Sequence, residues 1–196
     1  TKTSSALAGL SGTKTSTDTN ATASADSTQK KIEDFTKENP LFAVLRPNAD
    51  EKGMLAERGS ICGMASIRDT AKVNALLARP EVRSSLPNNI KFLWESKAIG
   101  DNGDVVMLHA VKTAMNGGAQ LEGDKVIDAR RDVGQSGEIE VSMTMNADGG
   151  RIWKNLTKAN IGRSIAIVLD DLVYSSPNVQ NEIPNGRSSI HGNFTS

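Results

Sequence analysis

Between residues 139 and 145 the side chains alternate strictly: Ile139, Val141, Met143 and Met145 are apolar, and Glu140, Ser142 and Thr144 between them are polar. Successive side chains of a strand point to opposite faces, so this pattern requires a strand with one packed face and one wet face. Further strands follow from similar signals. Ile61–Ile67 reads as one, and Ile90, Phe92 and Trp94 alternate with polar neighbours. Val105–Val111 lies across the turn signals Gly100-Asp101-Asn102-Gly103, which predicts an antiparallel pair with the 90–94 strand. Val126-Ile127 and Val133 belong to an extended segment.

Leu41–Leu45, before Arg46-Pro47, reads as a short buried strand leaving through a loop at 48–53. Ile165–Leu169 is apolar at every position, as a central strand covered on both sides would be. Asp170-Asp171 and Asn185-Gly186 read as hairpin turns. The second joins Val179–Ile183 to Ser188–Ile190 and fits a type I′ turn.

Helices are fewer. A short turn over Ile32–Phe35 ends at Asn39-Pro40. Asp69 caps a helix that places Val73, Leu76 and Leu77 on one face, and Pro80 stops it. Asn146 caps another with the stripe Ile152, Trp153, Leu156 and Ala159; Gly149-Gly150 weakens its first turn, and Gly162 ends it in the left-handed conformation. Strands outnumber helices and no regular βαβ alternation occurs. The fold class is therefore α+β, a largely antiparallel β-sheet packed with two or three helices.

Residues 1–30 are mostly Thr, Ser, Ala, Asp and Asn, with only Leu7 and Leu10 as large apolar residues, and read as a disordered linker. Residues 31–196 form the ordered domain. The whole is 196 residues, enough for one domain plus a tail. It does not begin with Met, which suits a processed protein or a fragment of a longer one, and the fragment is the reading adopted. With 23 basic and 23 acidic residues the net charge is zero, which disfavours nucleic acid as a partner. No run reaches the roughly 18–20 apolar residues that cross a bilayer as a helix. The single cysteine, Cys62, excludes an internal disulfide and reads as a small buried hydrophobe.

Signals for chemistry are sparse. His109 and His191 are the two histidines, each without a partner at metal-ligand spacing. There is no Gly-x-Ser-x-Gly elbow, no phosphate-cradling loop and no dinucleotide fingerprint. The sequence calls for no cofactor, metal or catalytic residue. A small secreted hydrolase would have to use Asp170 or the cluster of Asp124 and Asp128. Adjacent Asp170 and Asp171 suit a tight turn, however, and Glu122, Asp124, Asp128, Arg130 and Arg131 suit a solvated face of mixed charge. Asn20, Asn155 and Asn193 open glycosylation-type tripeptides, a pattern short enough to arise by chance.

The last third is the most specific. It runs Glu140-Val-Ser-Met-Thr-Met-Asn146, Trp153-Lys-Asn-Leu-Thr157, Asn160-Ile-Gly-Arg163, Ile165-Ala-Ile-Val-Leu-Asp170, Val173-Tyr-Ser175, Pro177, Gly186-Arg-Ser-Ser-Ile190 and Gly192-Asn-Phe-Thr195. In that order and spacing it resembles the head of the first periplasmic domain of SecD. Upstream, Asn39-Pro-Leu-Phe-Ala-Val-Leu45, Asp69-Thr-Ala-Lys-Val-Asn74 and Leu121-Glu-Gly-Asp124 resemble the longer form found in SecD–SecF fusions of Bacteroidetes. Asp171 departs from the Gly or Asn common in that turn.

The resemblance implies a non-enzymatic domain at the periplasmic face of the bacterial inner membrane. Its partners would be an unfolded exported polypeptide, the rest of SecD and SecF, and the SecYEG translocon. The family's head contacts the emerging chain and swings relative to a base during proton-gradient-driven translocation. The family's proton-coupling carboxylates lie in membrane helices outside this sequence. An unfolded client offers apolar side chains and unpaired backbone, so exposed apolar residues or a free strand edge should meet it. Tyr174, Pro177 and Val179 are the candidate contacts. A structural spacer of an envelope protein is the remaining alternative.

Overall fold

A computed structural model describes residues 37–49, 59–133 and 139–191. The proposed linker over 1–30, the turn over Ile32–Phe35 and most of the 48–53 loop lie outside them. The described residues cluster into two compact units. One comprises those up to Asn88 together with Phe92–Ala110, the other Asn89–Lys91 and those from Val111 onward.

The first unit is built on β1 (Arg46–Pro47), β2 (Ile61–Ser66) and the parts within Phe92–Ala110 of β3 (Ile90–Glu95) and β4 (Val105–Lys112), ordered β1-β2-β4-β3. β2 runs antiparallel to both β1 and β4. The turn between β3 and β4 closes with the antiparallel bridge Ile99 to Val105, and Gly100 and Gly103 take positive φ within it. Helices α1 (Thr70–Leu77) and α2 (Pro80–Ser84) complete the unit. Leu45, Ala65, Val73, Leu77 and Leu108 form its core.

Three local expectations need correction here. Pro40–Ala43 is a 3-10 helix and not a strand: Pro40 fixes the φ that a helix start needs, and the Leu45 N–H turns back to the Leu41 carbonyl at 2.8 Å. Asp69 precedes α1 but makes no side-chain cap; its carboxylate reaches Lys72 at 3.4 Å instead. Ahead of Pro80, α1 ends at Leu77 as expected, and Pro80 in addition opens α2, where its missing N–H costs nothing. In β3 the deepest residue is Leu93, between the predicted Phe92 and Trp94, which are half-buried.

The second unit contains β5 (Val126–Val133), β6 (Ile139–Met145), α3 (Ala147–Ala159), β7 (Ile167–Leu169), β8 (Leu172–Ser175) and β9 (Arg187–His191). β6 is the middle of an antiparallel sheet ordered β5-β6-β9. The register places Ser142 between Arg130 and Ser189, and Thr144 between Asp128 and Arg187. Val141 stands between Arg131 and Ile190, and Met143 between Ala129 and Ser188. The polar row read from the alternation is thus continued by polar residues on the neighbouring strands, but burial does not alternate with it: Ile139 to Thr144 are all half-buried and Met145 alone is buried.

Asn146 caps α3 as expected, its Oδ1 accepting from the Gly149 N–H at 2.8 Å. The buried stripe is Gly149, Gly150, Trp153 and Thr157, with Ile152 and Ala159 exposed, so it is rotated from the expected one. Glycine explains the rotation. A Cβ on Gly149 would sit 2.8 Å from Lys125 Cβ, and one on Gly186 would sit 2.9 Å from Gly150 Cα. Gly149 and Gly150 therefore seat the first turn of α3 against Lys125 and Gly186, a larger effect than the helix propensity they sacrifice. Trp153 Nε1 donates to Ser188 Oγ at 2.6 Å, and the buried Thr157 Oγ1 accepts the Ile183 N–H at 3.0 Å.

Gly162 has φ +75°, as its place after α3 predicts. Asn185-Gly186 is not a type I′ hairpin: only Gly186 has positive φ, and β9 pairs with β6 in place of a strand over 179–183. Ile165–Leu169 is not a central strand. β7 covers only Ile167–Leu169 and ends its sheet order, while the Ile165 N–H is taken by the Pro177 carbonyl at 3.1 Å. The class is α+β, and β1 with β2, β2 with β4, β5 with β6, β6 with β9 and β7 with β8 all pair antiparallel.

Candidate functional site

Asp170 and Asp171 both adopt positive φ, +49° and +61°, the pair a type I′ turn requires. This tight turn sets Leu169 directly opposite Leu172. The register shifts opposite Tyr174, yet Leu172 and Tyr174 are exposed on either side of the buried Val173, which sets both on the outer side of β8 with Leu169. Leu169 is 57 % exposed, Leu172 37 % and Tyr174 53 %. β7 is also the terminal strand of its sheet. An apolar surface thus adjoins a strand edge, the two features an extended polypeptide can use at once.

Of the three residues named from sequence, Tyr174 lies on this surface. Pro177 is half-buried, and its carbonyl fixes Ile165. Val179 is corrected to a packing position: it is 9 % exposed, and its backbone is bonded to Arg163 and Gly162. Leu169 and Leu172 were missed, although their place on either side of a two-residue turn marked them as a facing pair.

Among the described residues, Asp171, Asp124 and Asp128 each meet a cation and do not converge with one another. Asp171 meets Lys91, also of the second unit, at 2.5 Å. Asp124 meets Lys125 at 2.6 Å, and this hydrogen bond, with the attraction behind it, raises the Lys125 ammonium above its ordinary range. Asp128 lies instead on β5, 3.9 Å from Arg130, whose other side faces Asp132 at 3.9 Å. Among the described residues no three His, Cys, Asp or Glu side chains could hold a metal ion. Cys62 gives its S–H to the Leu108 carbonyl at 3.2 Å, and burial pushes its thiol up, so it stays protonated and unreactive.

These features define a class: an antiparallel α+β domain whose described surface offers an apolar hairpin and no assembled catalytic group. Residues 104–196 match the family described as SecDF, P1 head subdomain. The SecD protein translocase subunit of Rhodothermus marinus is 41 % identical over 154 residues, 79 % of this chain and 23 % of that protein. That alignment is longer than the family match, so it extends into the first unit. The SecD of Endomicrobium trichonymphae is 36 % identical over 120 residues, 61 % of this chain and 23 % of that protein. A crystal structure of SecDF in a super-membrane-facing form is 28 % identical, covering 64 % of this chain and 14 % of that one, with a TM-score of 0.37. The chain carries a P1 head subdomain of the SecDF family. It spans about a quarter of the length of the SecD relatives it matches, 23 % in both cases.

Proposed function

We propose that this chain is the extracytoplasmic head of a SecD subunit, at the periplasmic face of the inner membrane, and that it contacts the emerging polypeptide during proton-gradient-driven export. Residues 1–30 serve as a linker and 31–196 as the head. The observation that carries the client contact is the exposed row Leu169, Leu172 and Tyr174 beside the terminal strand β7. Unfolded chains present apolar side chains and unpaired backbone, and this surface accepts both. The remainder of SecD and SecF and the SecYEG translocon are the partners of the whole protein. Movement of the head relative to a base supplies the transport step, because interfaces between domains of one chain are commonly small and polar. The domain acts by binding and leverage, without turnover.

The double variant Leu172→Ser, Tyr174→Ser keeps the turn and the main-chain pairing. Removing two apolar contacts of about 1–1.5 kcal/mol each should weaken binding of a reduced, alkylated unfolded polypeptide by about tenfold or more. Fluorescence anisotropy with the labelled polypeptide measures this. Unchanged affinity would remove the hairpin from the contact surface.

A further inference from the structure

His109, on β4, is 1 % exposed, and the described contacts account for only part of its hydrogen-bonding capacity. Its Nδ1 lies 2.9 Å from Ser60 Oγ, just before β2. Its Nε2 faces Glu95 Oε2 at 3.6 Å, at the end of β3. That is beyond hydrogen-bond length, and both atoms are buried with no other partner. Two unpartnered polar atoms facing each other in a buried place are costly. Their arrangement has to serve one of the protonation states of the ring.

We propose that Ser60, His109 and Glu95 form a proton-responsive latch across β2, β4 and β3, closed while His109 is neutral and loosened when it takes up a proton. With the ring neutral, Ser60 donates to Nδ1 and the ring proton sits on Nε2, pointing at the Glu95 carboxylate. Protonation at Nδ1 obliges the Ser60 hydroxyl to turn from donor to acceptor, and it places a full charge where water does not reach. Glu95 offers the counter-charge, yet at 3.6 Å it gives no hydrogen bond unless β3 shifts toward β4. From the β2 side, Cys62 turns its thiol to the Leu108 carbonyl and keeps its proton. Among the described residues, Glu95 is the charged group acting on the ring.

Burial holds the His109 imidazole below the ordinary histidine range, and Glu95 offsets part of that effect. A base held low when folded binds fewer protons in the native than in the unfolded state. The contribution of His109 to the stability of the first unit is therefore greatest above about pH 6.5, falls as pH drops from there to the lowered value, and changes no further below it. The latch belongs to the first unit and is independent of the client-contact reading. Its use as a sensor of external acidity rests on the periplasmic placement proposed above.

The test is urea unfolding of the whole chain from pH 7.5 to 5, with histidine NMR alongside. The wild type should lose midpoint urea concentration over this span, and His109→Gln should abolish most of the loss. Glu95→Gln removes the offsetting charge, so its loss should continue to lower pH. If His109→Gln fails to fold, the NMR titration of the unaltered protein decides: one of its two histidines should carry its neutral proton on Nε2 and titrate below 6.5. Identical pH slopes in wild type and His109→Gln, or both histidines titrating at or above 6.5, would overturn the latch.

Discussion

Trp153→Ala is expected to destabilise the second unit by about 3–5 kcal/mol, the range for deleting a buried aromatic ring. Trp153 is the largest side chain on the buried face of α3, and the glycines beside it hold the helix too close to the chain for another side chain to fill the space. Its indole N–H also satisfies Ser188 on β9. Trp153→Phe separates the two contributions: it keeps most of the ring volume and forfeits a hydrogen bond worth about 1 kcal/mol. Equilibrium urea unfolding measures both variants. If Trp153→Ala cost no more than Trp153→Phe, α3 would not be anchored to its sheet in the way described.

Leu108→Ala should cost about 2–5 kcal/mol, and the loss should fall on the first unit. Leu108 is fully buried in β4 and belongs to the same core as Val73 and Leu77 of α1 and Leu45 beside β1. A cavity there is bordered by strands on one side and a helix on the other, so little collapse is available to fill it. Trp94, partly buried against this core, gives a fluorescence signal for it, best read in a Trp153→Phe background. A loss below about 1 kcal/mol would contradict the central place given to Leu108.

The residues that announced their structure did so through local rules that nothing distant overrode. The segment 139–145 formed the strand its alternation predicted, Gly162 took the positive φ its position required, and Asp170-Asp171 made the tight turn. The departures share a cause: a local pattern records which residues are apolar, and coverage depends on partners far along the chain. Ile165–Leu169 has the composition of a central strand but ends a sheet. Asn185-Gly186 has the chemistry of a hairpin, yet β9 finds its partner in β6, more than forty residues earlier. At Leu41–Val44 the fixed φ of Pro40 prevailed over an apolar run. The candidate site was half legible for the same reason. Tyr174 could be named from its segment, whereas the burial of Val179 and the pairing of Leu169 with Leu172 depend on register.

Contact between the β7–β8 hairpin and the exported chain can be read by cross-linking in the full-length SecD that carries this domain. A photo-reactive phenylalanine analogue placed at position 174, or at 172, is activated in membrane vesicles holding an exported polypeptide stalled in transit. The same analogue at position 130, on the polar face of the β5-β6-β9 sheet, serves as the control. Adducts with the stalled polypeptide are expected from 172 and 174, and few or none from 130. Adducts of equal yield at all three positions, or none at 172 and 174 while export proceeds, would contradict this contact and favour a structural spacer.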